Sequence, residues 1–186
     1  MASSPAGPWN VSDLVGHRGW GLNFAFVINA DGSAVGATRL GFINSTRWDD
    51  PKAWRNPLKE SIPYSSEPLA GGEDPFIWKD PSSNFHCLFH SFDKSAQGVN
   101  STMYPGSHAF SADGVDWEFS GAAYSNQVAY ADGRIQAMKR RERPHMVFDP
   151  VDKTKLLAMT NGVLPAEGAG RYGDRSFTLV QPLAQS

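Results

Sequence analysis

Helical periodicity is almost missing from this chain of 186 residues. Glycine (18) and proline (13) interrupt the sequence every few residues, so few windows hold a 3.6-residue apolar period. The one short helical candidate is Asp50 to Trp54, which Pro51 is placed to open. A single cysteine, Cys87, excludes an internal disulfide and a cysteine-rich metal site. Its context, FHCLF, is that of a buried structural thiol. No apolar run approaches the roughly 20 residues that span a bilayer as a helix. The start, MASSPAGPWNVSD, lacks the basic-then-apolar pattern of a signal peptide. With 17 basic and 19 acidic residues the net charge is −2, which makes no electrostatic case for nucleic acid or for an anionic membrane.

What remains is a β pattern. NFAFVI, SAVGATRL, DPFIWKD, NFHCLFHSF, GSHAFSA, VDWEFSG, RPHMVFD and KLLAMTNGV read as strands, several alternating apolar and polar residues. Asp31-Gly32, Asp113-Gly114 and Asp132-Gly133 read as type I′ hairpin turns between them. The 40% hydrophobic and 19% charged content belongs to a globular protein, and no linker or charge block divides it. Residues 1–186 are therefore read as one all-β unit. Three N-x-S/T sequons, at Asn10, Asn44 and Asn100, give a faint hint of a secretory history, and the compartment is otherwise unreadable.

Three segments share a form: a polar lead, an apolar strand, a short polar turn and a second strand. They begin at NFAFVI, at EDPFIW and at RPHMVF, roughly 50–70 residues apart, near the size of a four-stranded propeller blade. The expectation is a partial β-propeller of roughly three antiparallel four-stranded blades. Glycoside hydrolysis commonly uses two carboxyl groups across the scissile bond. The acids that open inner strands here are Asp74, in GGEDPFIW, and Glu142, in RERPHMVF, each just ahead of a proline that favours extended geometry. Taken alone, Asp74 also suits an Asx turn and Glu142 a solvated strand end among arginines.

EDPFIW, FHCLFH, HAFSADGVDW and RERPHMVF, taken together, resemble the five-bladed propellers of glycoside hydrolase family 43 and the related levansucrase and invertase families. The resemblance runs from about Gly7 to Val163. It implies a glycosidase-like domain acting on furanosides or short glycans, with Glu142 as proton donor and Asp74 as stabilising carboxylate. Arg39, in ATRLG, resembles an arginine that closes an inner strand in related blades. The families use a third carboxylate on an earlier blade, and here the alignable strand GLNFAFV offers Asn23, which cannot act as a base. Asp13 is the nearest acid, in no family motif. GPW at Gly7 to Trp9 reads as the end of a blade whose first strands would precede Met1, so the domain is expected to be incomplete at its N-terminus. A non-catalytic carbohydrate-binding relative, or a truncated fragment lacking the catalytic base, is the alternative.

Carbohydrate is thus the expected partner, with self-association through an exposed blade edge as a further expectation. Arg143, His145, His90, His108, Arg39, Trp78 and Asn23 are the candidate sugar-binding residues. Trp20 and Trp117 are further candidate platforms, with packing the commoner use of each. His86 and His90 share a strand face, and His108 is placed to approach His90 across the blade. No cofactor is required, although the resemblance allows a cation on the propeller axis, with His90 its best single ligand; no metal set is assigned. Arg140, Arg141 and Arg143 could grip a hydroxyl or carboxylate of a substrate, or keep Glu142 ionised, and the sequence does not say which guanidinium faces it.

Overall fold

The computed structural model describes residues 23–39, 41–55, 69–93, 106–166 and 175–184. Asp13, Trp20, the Gly7 to Trp9 segment and the sequons at Asn10 and Asn100 lie outside them. Among the described residues, twelve strands make three four-stranded sheets, every paired neighbour antiparallel. The first sheet is β1 (Ala25–Ile28), β2 (Ala34–Thr38), β3 (Gly41–Ser45) and β4 (Trp54–Arg55) in chain order. The second is β5 (Leu69–Lys79), β6 (Phe85–Asp93), β7 (Gly106–Ser111) and β8 (Glu118–Tyr124). In the third, β9 (Gln127–Ala129), β10 (Ile135–Phe148), β11 (Leu156–Pro165) and β12 (Phe177–Pro182) follow one another, with β9 covering only Ile135 to Ala137 of β10. This is the expected all-β set of three propeller blades. The helical candidate is not formed: Asp50 caps a single turn through its carboxylate on the Lys52 N–H, and Trp54 already belongs to β4.

The hairpins close differently from the type I′ turns expected. At the first and third Asp-Gly pairs, the N–H of Asn29 donates to the carbonyl of Ser33, and that of Tyr130 to Arg134, leaving three residues in each loop. Only the glycines are left-handed, at φ 82° for Gly32 and 83° for Gly133. The aspartate instead accepts the N–H two residues on, Ser33 or Arg134. That arrangement is a type I turn closed by a left-handed glycine, the usual three-residue hairpin loop. The Asp80 to Asn84 loop repeats it with Ser83 in the glycine position, φ 68°.

Apolar layers hold the blades face to face. Between the first two lie Ala37, Phe42, Cys87, Phe89 and Ala109, with the Trp117 ring stacked on Phe42 at 3.6 Å. Between the second and third lie Leu88, Tyr124, Met146 and Met159, flanked by Phe76 and Trp78. Each fully buried large side chain here contributes about 1.5–3 kcal/mol relative to exposure. The free thiol of Cys87 is buried in the first layer. Asn44 sits half-buried in β3 rather than on a surface loop, so the sequon hint loses that site. Phe24, Phe26 and Ile28 stand exposed beside β2, Phe24 and Phe26 stacked on each other at 5.1 Å. Strand β5 packs between β1 and β10, so these three strands stand side by side.

A candidate active site where three inner strands meet

The Glu-x-Pro tripeptides of β5 and β10 build the same irregularity. On β5 the pairing with β6 steps from Phe76↔Leu88 to Glu73↔His90, three residues against two. On β10 it steps from His145↔Thr160 to Glu142↔Gly162, again three against two. Proline brings no N–H to the ladder, and a bulge absorbs the break while re-aiming the residues beside it. The residue before each proline is left-handed: Asp74 and Arg143 both have φ 53°. Asn23, just ahead of β1, joins them at φ 65°. A side chain with a Cβ is strained by roughly 1–3 kcal/mol in such a conformation, and strain of this kind gathers at functional sites.

The register decides which positions of the two bulged strands are equivalent. Asp74 and Glu142 are not counterparts; Asp74 corresponds to Arg143, and Glu142 to Glu73. Glu73 is the residue that sequence reasoning passed over. The signal was present, since Glu73-Asp74-Pro75 and Glu142-Arg143-Pro144 share the same spacing.

Asn23 Nδ2 donates to Asp74 Oδ1 at 2.6 Å, tying β1 to β5. His90 Nδ1 lies 3.5 Å from Glu73 Oε1. Among the described residues, Glu73, Asp74 and His90 each offer a ligand atom within 4.8 Å of the others, a geometry that could hold a cation. Burial pushes the Asp74 carboxyl above the usual carboxylate range; the guanidinium of Arg143 opposes that, Glu73 adds to it, His90 opposes it and Glu142 adds to it. Raised acids in mixed charge clusters are candidate functional groups.

The three arginines separate cleanly. Arg140 Nη1 donates to Glu142 Oε1 at 3.1 Å, and this is the guanidinium that faces the glutamate. Arg143 is exposed and acts on Asp74. Arg141 turns inward, 2% exposed, donating to Asn161 Oδ1, the Ser125 carbonyl and Gln181 Oε1, with its guanidinium 4.5 Å above the Tyr124 ring. Asn161 Nδ2 in turn donates to the Glu142 carbonyl, so the buried arginine braces the backbone that carries Glu142. A cavity of about 650 Å3 opens beside that glutamate, lined by Arg140, Arg143, Thr160, Thr178 and Phe177.

Of the other expected residues, His145 adjoins this region and the rest fall elsewhere. His145 is exposed with its ring 4.0 Å from Phe76, adjoining the β5 and β10 bulges. His108 does not meet His90: it pairs with Leu88, and its Nε2 lies 3.0 Å from Nδ1 of His86. Trp78 stacks on His86 in the layer between blades, and His86 Nε2 reaches Asp80 Oδ2 at 3.3 Å. Burial, with the positive potential of His86, pulls the His108 imidazole down to about 4. Arg39 is exposed just past β2, the second strand of its blade rather than the first.

Three four-stranded antiparallel sheets, packed side by side through strands that carry strained, charged bulges, place the chain in the propeller class of architectures. No family model matches the sequence, and no curated protein matches it. Among solved structures, the fold is similar to that of an endo-arabinase from Bacteroides thetaiotaomicron, with a TM-score of 0.58 at 15% identity. The match covers 100% of this chain, which spans 64% of that protein's chain. It supports the fold expected from the family 43 resemblance.

Proposed function

We propose that this chain is a glycoside hydrolase-like domain, three blades of a five-bladed propeller related to family 43 and to the levansucrases, acting on furanosides or short glycans. Glu142 serves as general acid and Asp74 as stabilising carboxylate. Glu73 supplies the third carboxylate, which would take a proton from water as that water attacks the anomeric carbon. The observation that carries the reading is the repeated bulge, which puts Glu73 and Glu142 at one position of successive inner strands and Asp74 and Arg143 at the next. The similar solved structure is an endo-arabinase, which makes arabinan oligosaccharides the first substrates to try. Arg143, His145, His90 and Asn23 line or brace the same region and are assigned to substrate.

The test is hydrolysis of aryl furanosides, arabinan oligosaccharides and sucrose-type sugars by wild type and Glu142→Gln. Loss of a proton donor lowers turnover by about 10²–10⁴-fold, and equal rates in the two proteins would refute the assignment. A second reading, a carbohydrate-binding relative without turnover, is favoured by one observation: the left-handed position of the first blade holds an amide, Asn23, already bonded to Asp74. Binding without turnover in wild type decides for it. Edge association completes the proposal, with Phe177 and Val180 exposed on β12, and sizing at two protein concentrations reads it.

A further inference from the structure

We infer that the cavity beside Glu142 selects a glycan carrying a carboxylate, a uronic-acid residue, whose anion is received by Arg140 and Arg143. The inference rests on the glycan reading above and narrows it to a substrate class.

The cavity's size, about 650 Å3, is that of a small-ligand site. Its ionic lining consists of two guanidiniums against one carboxylate, and that carboxylate is already engaged by Arg140 at 3.1 Å. Neutral sugars are held chiefly by hydroxyl-to-carboxylate and hydroxyl-to-amide hydrogen bonds. A pair of planar, permanently charged forks instead matches the geometry of a carboxylate, which it binds through two parallel N–H donors. Thr160 and Thr178 supply hydroxyls for the ring positions of the same sugar, and the half-exposed ring of Phe177 offers an apolar face. Arg143 owes its aim to the left-handed bulge, so the chain spends backbone strain on placing this cation.

A consequence ties the cavity to the proton donor. Glu142 Oε1 accepts from Arg140. A ligand carboxylate competes for that guanidinium and takes the donor away from Oε1. Binding of the acidic sugar and release of Glu142 from Arg140 become one event.

The experiment is calorimetric titration of the full chain with a short oligosaccharide bearing a terminal uronic acid, and with the same oligosaccharide after reduction of its carboxylate to a primary alcohol. The acidic sugar is expected to bind about tenfold or more tightly at low salt. The preference should shrink as added salt shortens the Debye length from ~30 Å to ~3 Å. In Arg140→Gln, checked for an unchanged melting transition, the ratio of the two affinities falls toward one. Equal affinities in wild type, or a preference that survives both salt and Arg140→Gln, overturn the inference and leave the glycan reading standing. Binding of neither sugar removes the glycan reading and the inference together.

Discussion

Replacing Arg141 by Met tests whether the brace beneath Glu142 is structural. Methionine keeps most of the stem volume and removes the charge and all three donated bonds. Of the acceptors left behind, Asn161 Oδ1 belongs to a residue 1% exposed, whereas Gln181 is half-buried and Ser125 reaches solvent. One deeply stranded acceptor costs about 1–3 kcal/mol, and bonds to a charged donor contribute about 1.5–3 kcal/mol each before desolvation is subtracted. Desolvation is substantial: burial pulls the guanidinium below its ordinary value, Tyr124 opposes that, and the three acceptors bonded to it are neutral. The net expectation is a loss of about 2–3 kcal/mol, near the low end for breaking a buried charged network. For a chain of this length that lowers the melting midpoint by roughly 4–12 °C. Urea unfolding, followed by aromatic circular dichroism, should show a lower midpoint at unchanged slope. Arg141→Lys should recover little, because an ammonium cannot serve three acceptors at fork angles. A change under about 0.5 kcal/mol, or a gain, would show that burying the cation costs as much as its bonds return, and would refute the brace.

Two further outcomes follow from the titrating groups. His108 has a folded value of about 4 against 6.5 unfolded, so the unfolded chain binds more protons between those values. Its contribution is therefore fully present above pH 6.5 and lost as the pH falls toward 4. Screening at this half-buried site limits the effect to about 1–2 kcal/mol. His108→Gln should flatten the stability profile across that window, and an unchanged acid limb would contradict the assignment. Asp74 behaves oppositely: its folded value is raised above 3.8, so stability falls as pH climbs past the unfolded value toward the folded one. Asp74→Asn, whose amide oxygen can still accept from Asn23, should be at least as stable as wild type at pH 7 while losing activity. Destabilisation at that pH would show that the carboxylate serves structure.

Much of the fold was legible because its signals are local. Alternation in NFHCLFHSF and the Asp-Gly pairs announce β6 and the hairpins within windows of ten residues. The long inner strands were legible only in part. Strand β10 runs from Ile135 through KRRERP to Phe148, and β5 starts at Leu69, several residues ahead of the readable DPFIWKD. Charge and proline disguised both, since a proline reads as a boundary unless a bulge absorbs it. Strands β3 and β12 escaped because GFINS and FTLVQP are short and carry no turn pair beside them.

The sequence by itself determined an all-β chain of repeated hairpin units, with acids ahead of two prolines and an asparagine where a third acid was sought. Tertiary structure alone decided which of these groups meet. Asn23 and Asp74 are 51 positions apart, and their contact depends on how one blade packs on the next. Arg140 rather than Arg141 faces Glu142 because neighbouring strand residues point to opposite sides, and the bulge register sets which side is the core. Glu73 became a candidate for the same reason: residues become equivalent through cross-strand pairing, and pairing is fixed by long-range packing that no short window of sequence contains.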